Sequence, residues 1–264
     1  MEREYALGYV PGPSDDSLDI REFSSTVNAY HSTVAEAVRT RARIPSTYPP
    51  TFDWRNVSGK TFITPIRDQG NCGACVAFGC VAAVEAAVLI KNQSPDQDFD
   101  LSEAHLFYCH PNVPSNVSCE SGWYPDAALT SLLNPGVVDE SCYPYTPGDQ
   151  PCRVCQDWQN RVTKITRWQK LSSHADMKSW ISKRGPTVTC FSVYDDFFHY
   201  KSGVYHHVSG SLAGGHCVCC VGYDDNAQNW ICKNSWGTAW GENGFFRIQY
   251  GQVGIDSLMW AISL

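Results

Sequence analysis

No stretch of this chain is apolar for long enough to cross a bilayer, and none is a block of lysine and arginine. The first absence argues against a helical membrane protein. The second, with a formal net charge of -7, argues against a nucleic-acid binder. Internal repeats are missing, which sets aside solenoids and repeat arrays. The opening MEREYALGYV lacks the apolar run of a secretory signal, so either the chain is cytosolic or a signal has been removed. Residues 1–47 lack both cysteine and tryptophan, although the rest of the chain holds 13 of one and 9 of the other. Charged residues are few, at 18% against 43% hydrophobic, so 264 residues can bury a substantial core as one or two domains.

The pattern along the chain predicts three parts. An extended opening, YVPGPSDDSLD, precedes a helix from Val27 to Arg43, with Val27, Tyr30, Val34 and Val38 on one face and Arg39, Arg41 and Arg43 in the last turn. Pro45, Pro49 and Pro50 then form a linker. This N-terminal part, residues 1–47, reads as a pro-segment or as a helix packed permanently on the domain. Residues 48–160 read as helical. Cys75 to Ile90 (CVAFGCVAAVEAAVLI) is apolar on every face except at Glu85, so it is a buried helix with Cys75 at its start. Leu101-Ser102-Glu103 starts another helix, and Pro125 to Leu133 forms a third. Residues 161–264 read as β-rich, with short strands at Pro186 to Val193, Gly215 to Tyr223, Trp230 to Lys233 and Gly244 to Tyr250. Segregated helices and strands indicate an α+β protein with two subdomains.

Thirteen cysteines suggest disulfides in an oxidising compartment, or metal and redox chemistry in a reducing one. The odd count leaves at least one thiol unpaired. Three N-x-S sequons, at Asn56, Asn92 and Asn116, either mark glycosylated loops or arise by chance.

One cysteine is placed for chemistry. A thiol nucleophile needs a thiolate, a base and donors aimed at an oxyanion. Cys75 has the positive end of a helix dipole. His216 follows Gly214-Gly215 at the start of an apolar strand and can face a cleft. Asn234, opening an NSWG turn, can accept the imidazole N–H.

These residues carry a resemblance. Gln69-Gly70-Asn71-Cys72-Gly73-Ala74-Cys75 resembles the nucleophile segment of papain and the cathepsins, Gly214-Gly215-His216 their histidine segment, and Lys233-Asn234-Ser235-Trp236-Gly237 their asparagine segment. Thr51 to Arg55, Leu101-Ser102-Glu103, Tyr143-Pro144-Tyr145 and Gly254-Ile255 extend the likeness over roughly residues 50 to 260. Tyr200 to His216 is closest to cathepsin B.

The resemblance implies a papain-like fold, with a helical half, a β-barrel-like half and an active-site cleft between them. It implies a cysteine endopeptidase, expressed as a zymogen if the N-terminal part is a pro-segment, in which Cys75 attacks, His216 shuttles the proton, Asn234 orients the ring and Gln69 stabilises the oxyanion. It implies disulfides Cys72–Cys119 and Cys109–Cys152. Cys142–Cys155 is a further candidate pair. Cys80, Cys190, Cys217, Cys219, Cys220 and Cys232 are taken as buried free thiols. Substrate backbone and side chains are expected at Gly122, Tyr124, Pro125, Gly214, Gly215, Trp236 and Leu258. With Leu258 as an apolar floor, Leu, Val or Phe is expected as the second residue on the amino side of the cleaved bond, and Arg is disfavoured. The chemistry requires no metal or organic cofactor. Implied partners are peptide or protein substrates, the N-terminal segment as an inhibitor, and cystatin-like inhibitors. The implied compartment is secretory or lysosome- or vacuole-like, with the cytosol left open by the missing signal.

The sequence departs from the family at Ala74 and Val76, where serine and tryptophan are usual, and Trp123 inserts one residue into the glycine-rich loop. No long histidine-bearing insertion follows Cys119, which points to endopeptidase rather than dipeptidase action. Three rivals remain at this level: a redox protein using Cys72-x-x-Cys75, zinc binding through Cys152, Cys155 and the Cys217/Cys219/Cys220 group, and a catalytically silent papain fold acting as a binding module.

Overall fold

The most apolar run in the sequence becomes the central helix, α1 (Cys75–Lys91), in the computed structural model. All of its first twelve residues are buried, because core packs around it on every side. Glu85 lies in that core and is satisfied rather than exposed. It accepts from the Leu101 backbone N–H at 2.9 Å and from the Thr64 hydroxyl, and Thr64 in turn accepts from Lys233 Nζ at 2.8 Å. A buried carboxylate without such partners would be strongly destabilising.

The structure describes residues 5–12, 48–110 and 117–264. The helix expected from Val27 to Arg43 lies outside the described residues. After β1 (Thr51–Asp53) and α1 come α2 (Glu103–Tyr108), capped by the Ser102 hydroxyl, and α3 (Pro125–Leu133), which starts on a proline. Next are β2 (Arg167–Leu171), α4 (His174–Lys183), β3 (Thr187–Tyr194), α5 (Asp195–Phe198), β4 (Val204–Tyr205) and β5 (Leu212–Asp224). β6 (Asn229–Lys233), β7 (Phe245–Gln249) and β8 (Met259–Ser263) complete the order.

The strands form one sheet in the order β2-β8-β3-β5-β6-β7-β4, with β1 added to β5. Among the described residues this sheet is open, with an edge at each end in place of the barrel-like closure expected from the resemblance. Helix α4 was also missed from sequence, although Ser173 and Asp176 form a capping signal there, with the Asp176 N–H donating to the Ser173 hydroxyl at 3.1 Å.

A close approach at one glycine brings α1 and β5 together. A Cβ at Gly79 would stand 3.3 Å from the Val218 backbone, so the absent side chain lets helix and strand touch. Cys75 is one turn before Gly79, and His216 is two residues before Val218; the Cys75 sulfur meets the backbone of Cys217, the residue after His216.

Disulfides join Cys72 to Cys119, Cys109 to Cys152, Cys142 to Cys155 and Cys190 to Cys217. The last pair corrects the reading of Cys190 and Cys217 as free thiols. The two are direct cross-strand neighbours on β3 and β5, a relation that sequence separation hides. Cys75, Cys80, Cys219, Cys220 and Cys232 are free and buried.

Candidate active site

His216 sits within β5, not at its start, because Gly214 and Gly215 are themselves strand residues. Its Nε2 donates to Asn234 Oδ1 at 2.7 Å, and the same oxygen accepts the Ser235 N–H at 2.8 Å. The Trp236 indole stacks on the imidazole with ring centroids 4.6 Å apart, burying that bond. The other ring nitrogen, Nδ1, is buried and has no hydrogen-bond partner among the described residues.

Gln69 is fully buried and held from both sides. Its Oε1 accepts from the Ser235 hydroxyl at 2.6 Å, and its Nε2 donates to Cys72 O at 2.8 Å. The Gln69 N–H donates to Ser235 O at 2.9 Å. The loop before Cys75 is thus stitched to the loop that carries Asn234.

Residues 5–12 run through this site. Tyr5 stacks on Trp236, with centroids 4.7 Å apart. Ala6 O accepts the Gln69 Nε2 proton at 3.0 Å. Trp123 N–H donates to Gly8 O at 2.7 Å, and Val10 N–H donates to Trp123 O at 2.9 Å, a parallel bridge centred on Tyr9. Tyr9 N–H donates to Gly215 O at 3.1 Å. Glycines on both sides make this approach possible. A Cβ on Gly122 would lie 1.9 Å from Gly8 O, and one on Gly215 would lie 2.7 Å from the Tyr9 ring.

Tyr9 reaches an apolar hollow whose lining includes Cys190, Phe191, Gly215, Leu258 and Trp260. Of the substrate-binding residues expected from sequence, Gly215 and Leu258 line this hollow. Gly122 and Gly214 instead face the N-terminal segment, and Trp236 lies under Tyr5. Tyr124 and Pro125 are at the start of α3, outside the lining. The backbone pairing with residues 5–12 is made by Trp123, next to Gly122. Trp123, Ser235, Cys190 and Phe191 were not anticipated. The one-residue insertion at Trp123 was the available signal, because an insertion shifts which residue presents its backbone to the cleft.

Residues 5–12 cover the site, and Cys75 and His216 beneath them are fully buried. Burial pushes the Cys75 thiol up to about 11, against backbone hydrogen bonds from Cys217 and Gly8. Burial likewise pushes His216 down to about 4, against the bond to Asn234. Burial therefore opposes the ionised sulfur expected from sequence, acting against charge on both the thiol and the imidazole.

A family model described as papain family cysteine protease matches residues 48–262. The chain belongs to the papain family. Cysteine proteinase 1 of Entamoeba histolytica is 36% identical over 205 residues, covering 76% of this papain-family chain and 63% of that protein. Cathepsin B-like CP3 of Giardia intestinalis is 34% identical over 229 residues, covering 80% and 74%. Among solved structures, the digestive procathepsin L2 proteinase from Tenebrio molitor larval midgut superposes with a TM-score of 0.72 at 30% identity, covering 87% of this chain and 72% of that one. Procathepsin B S9 from Trypanosoma congolense gives a TM-score of 0.71 at 27% identity, covering 85% and 81%. The chain thus spans less than two thirds of the Entamoeba relative's length. No helix among the described residues is long and apolar enough to cross a membrane.

Proposed function

We propose that this papain-family chain is a cysteine endopeptidase made as a zymogen, with residues 1–47 as its pro-segment, residues 48–160 carrying Cys75 and residues 161–264 carrying His216 and Asn234. The observation that carries the reading is the Nε2 bond of His216 to Asn234, which leaves Nδ1 as the only ring nitrogen free to exchange a proton with the Cys75 thiol.

Once the N-terminal segment leaves and water enters, the burial that disfavours charge on both groups is relieved, and a proton passes from Cys75 to His216 Nδ1. The thiolate attacks a peptide carbonyl, and the oxyanion takes the place that Ala6 O occupies on Gln69 Nε2. The His216 imidazolium protonates the leaving amine and an acyl-thioester forms. Water, deprotonated by His216, hydrolyses the thioester and returns the thiol. Asn234 and Trp236 keep the ring in one orientation throughout.

The hollow that receives Tyr9 is the site for the second residue on the amino side of the cleaved bond. Among the described residues its lining includes no charged side chain, which favours Leu, Val or Phe there and disfavours Arg. Four disulfides fit an oxidising secretory or lysosome-like compartment. The redox rival weakens because Cys72 is bonded to Cys119 and not to Cys75. Peptide or protein substrates and cystatin-like inhibitors are the partners that fit such a cleft; a nucleic acid does not suit the acidic chain.

The test is to label the protein, before and after removal of residues 1–47, with a peptide epoxide. Labelling at Cys75, lost in Cys75→Ala, together with cleavage of a peptide library after apolar second residues, is the expected result. A library in which Arg is best at that position would overturn the specificity. Turnover surviving in Cys75→Ala would overturn the mechanism.

A further inference from the structure

The segment GQVGIDSL, residues 251–258, contains a single charged residue, Asp256, and the fold buries it. The residues around it face the other way: Gly254, Ser257 and Leu258 line the apolar hollow. The segment's backbone is costly. Gly251, Val253 and Gly254 have φ of 74°, 44° and 82°, and Val253 is β-branched in the left-handed region. Such a conformation persists only where its surroundings over-determine it.

Asp256 supplies that constraint. Its Oδ2 accepts the Gly251 N–H at 2.8 Å, closing the segment on itself, and the Trp230 Nε1 proton at 2.9 Å, tying it to β6. His174 Nε2, from the first residue of α4, pairs with the same oxygen at 2.7 Å. Burial raises the Asp256 pKa, but the His174 and Trp230 bonds outweigh it, and the carboxyl is held below the usual range. On the opposite side, Thr189 Oγ1 donates to Ile255 O. One buried oxygen therefore gathers this segment, β6 and α4 at a point two residues before Leu258.

We propose that Asp256 and His174 are positioning residues for substrate selection: they lock the segment that presents Leu258 to the hollow, so that the preference for an apolar second residue depends on a pair lying outside the pocket. This deepens the peptidase reading and rests on it.

The test uses the full chain, brought to its active form as for the parent protein, with His174→Ala, His174→Gln and Asp256→Asn. His174 is about a third exposed, so its variants are compatible with folding even where Asp256→Asn is not. Epoxide labelling of Cys75 counts active sites first, so an inactive parent signals failure of the peptidase reading rather than of this one. Peptides with Leu or Gly as the second residue are then compared. For His174→Ala, KM for the Leu peptide is expected to rise about tenfold, the effect of losing one hydrogen bond to a charged group. The expected kcat, and both constants for the Gly peptide, stay within about twofold. His174→Gln, which keeps an N–H donor, is expected to recover most of the Leu preference. Equal losses on Leu and Gly peptides, no change in the Leu:Gly ratio, or no recovery with Gln would each overturn the proposal.

Discussion

Gly8 is where the occluded state is most vulnerable. The segment crosses Gly73 so closely that a Cβ on Gly8 would stand 1.8 Å from Gly73 O and 2.3 Å from Gly73 C. Both are backbone atoms next to a disulfide-bonded cysteine, so neither can retreat. Gly8→Val must therefore lift the segment. Three hydrogen bonds around that point go with it: Trp123 N–H to Gly8 O, Val10 N–H to Trp123 O, and Tyr9 N–H to Gly215 O. At about 1 kcal/mol net each, the loss is about 3 kcal/mol. That shifts the balance between occluded and open cleft roughly hundredfold. The assay is alkylation of the native full-length chain by iodoacetamide, with peptide mapping of Cys75. The remaining free cysteines are buried and serve as internal controls. Gly8→Val is expected to react roughly a hundred times faster at Cys75 than the parent. Val10→Ala, whose side chain is exposed, is expected to stay within about threefold. Equal rates for Gly8→Val and the parent would refute the idea that residues 5–12 seal the site.

Ser235→Ala removes the hydroxyl that holds Gln69 Oε1, and the acylation rate is expected to fall about tenfold with little change in KM, read by stopped-flow on an ester substrate. Leu258→Glu places a carboxylate in the apolar hollow and is expected to convert Arg from a poor to an accepted second residue in a peptide library. Acid stability follows from two imidazoles packed together, with ring centroids 4.8 Å apart: burial pushes His105 down to about 4, and burial with the neighbouring His105 pushes His110 down to about 3. The unfolded chain takes up these protons first, so their contribution is complete above the ordinary histidine value and is lost as pH falls from about 6.5 toward 3. Tm is expected to drop across that window, and His110→Phe to flatten the drop in calorimetric scans; an unchanged slope would sink the argument.

Some features were legible because they are local. The helix at Cys75 is a continuous apolar run, α3 is announced by Pro125, and four strands are marked by β-rich segments between turn residues. Helix α4 was hidden because its mean composition is polar and only Met177, Lys178 and Ile181 are buried. The Cys190–Cys217 bond depended on the β3–β5 register, which sequence does not show.

By itself the sequence determined the identities that chemistry needs: a cysteine opening a buried helix, a histidine on an apolar strand, an asparagine and a glutamine beside them. Residue type and local periodicity are enough for that, since they act over one helical turn or one strand. Only the tertiary structure decided the burial that works against charge on the pair, the residue that pairs with a chain in the cleft, and the arrangement around Asp256. Each of these depends on desolvation or close approach between segments far apart in sequence, and burial is a property of the folded molecule, not of any one stretch of it.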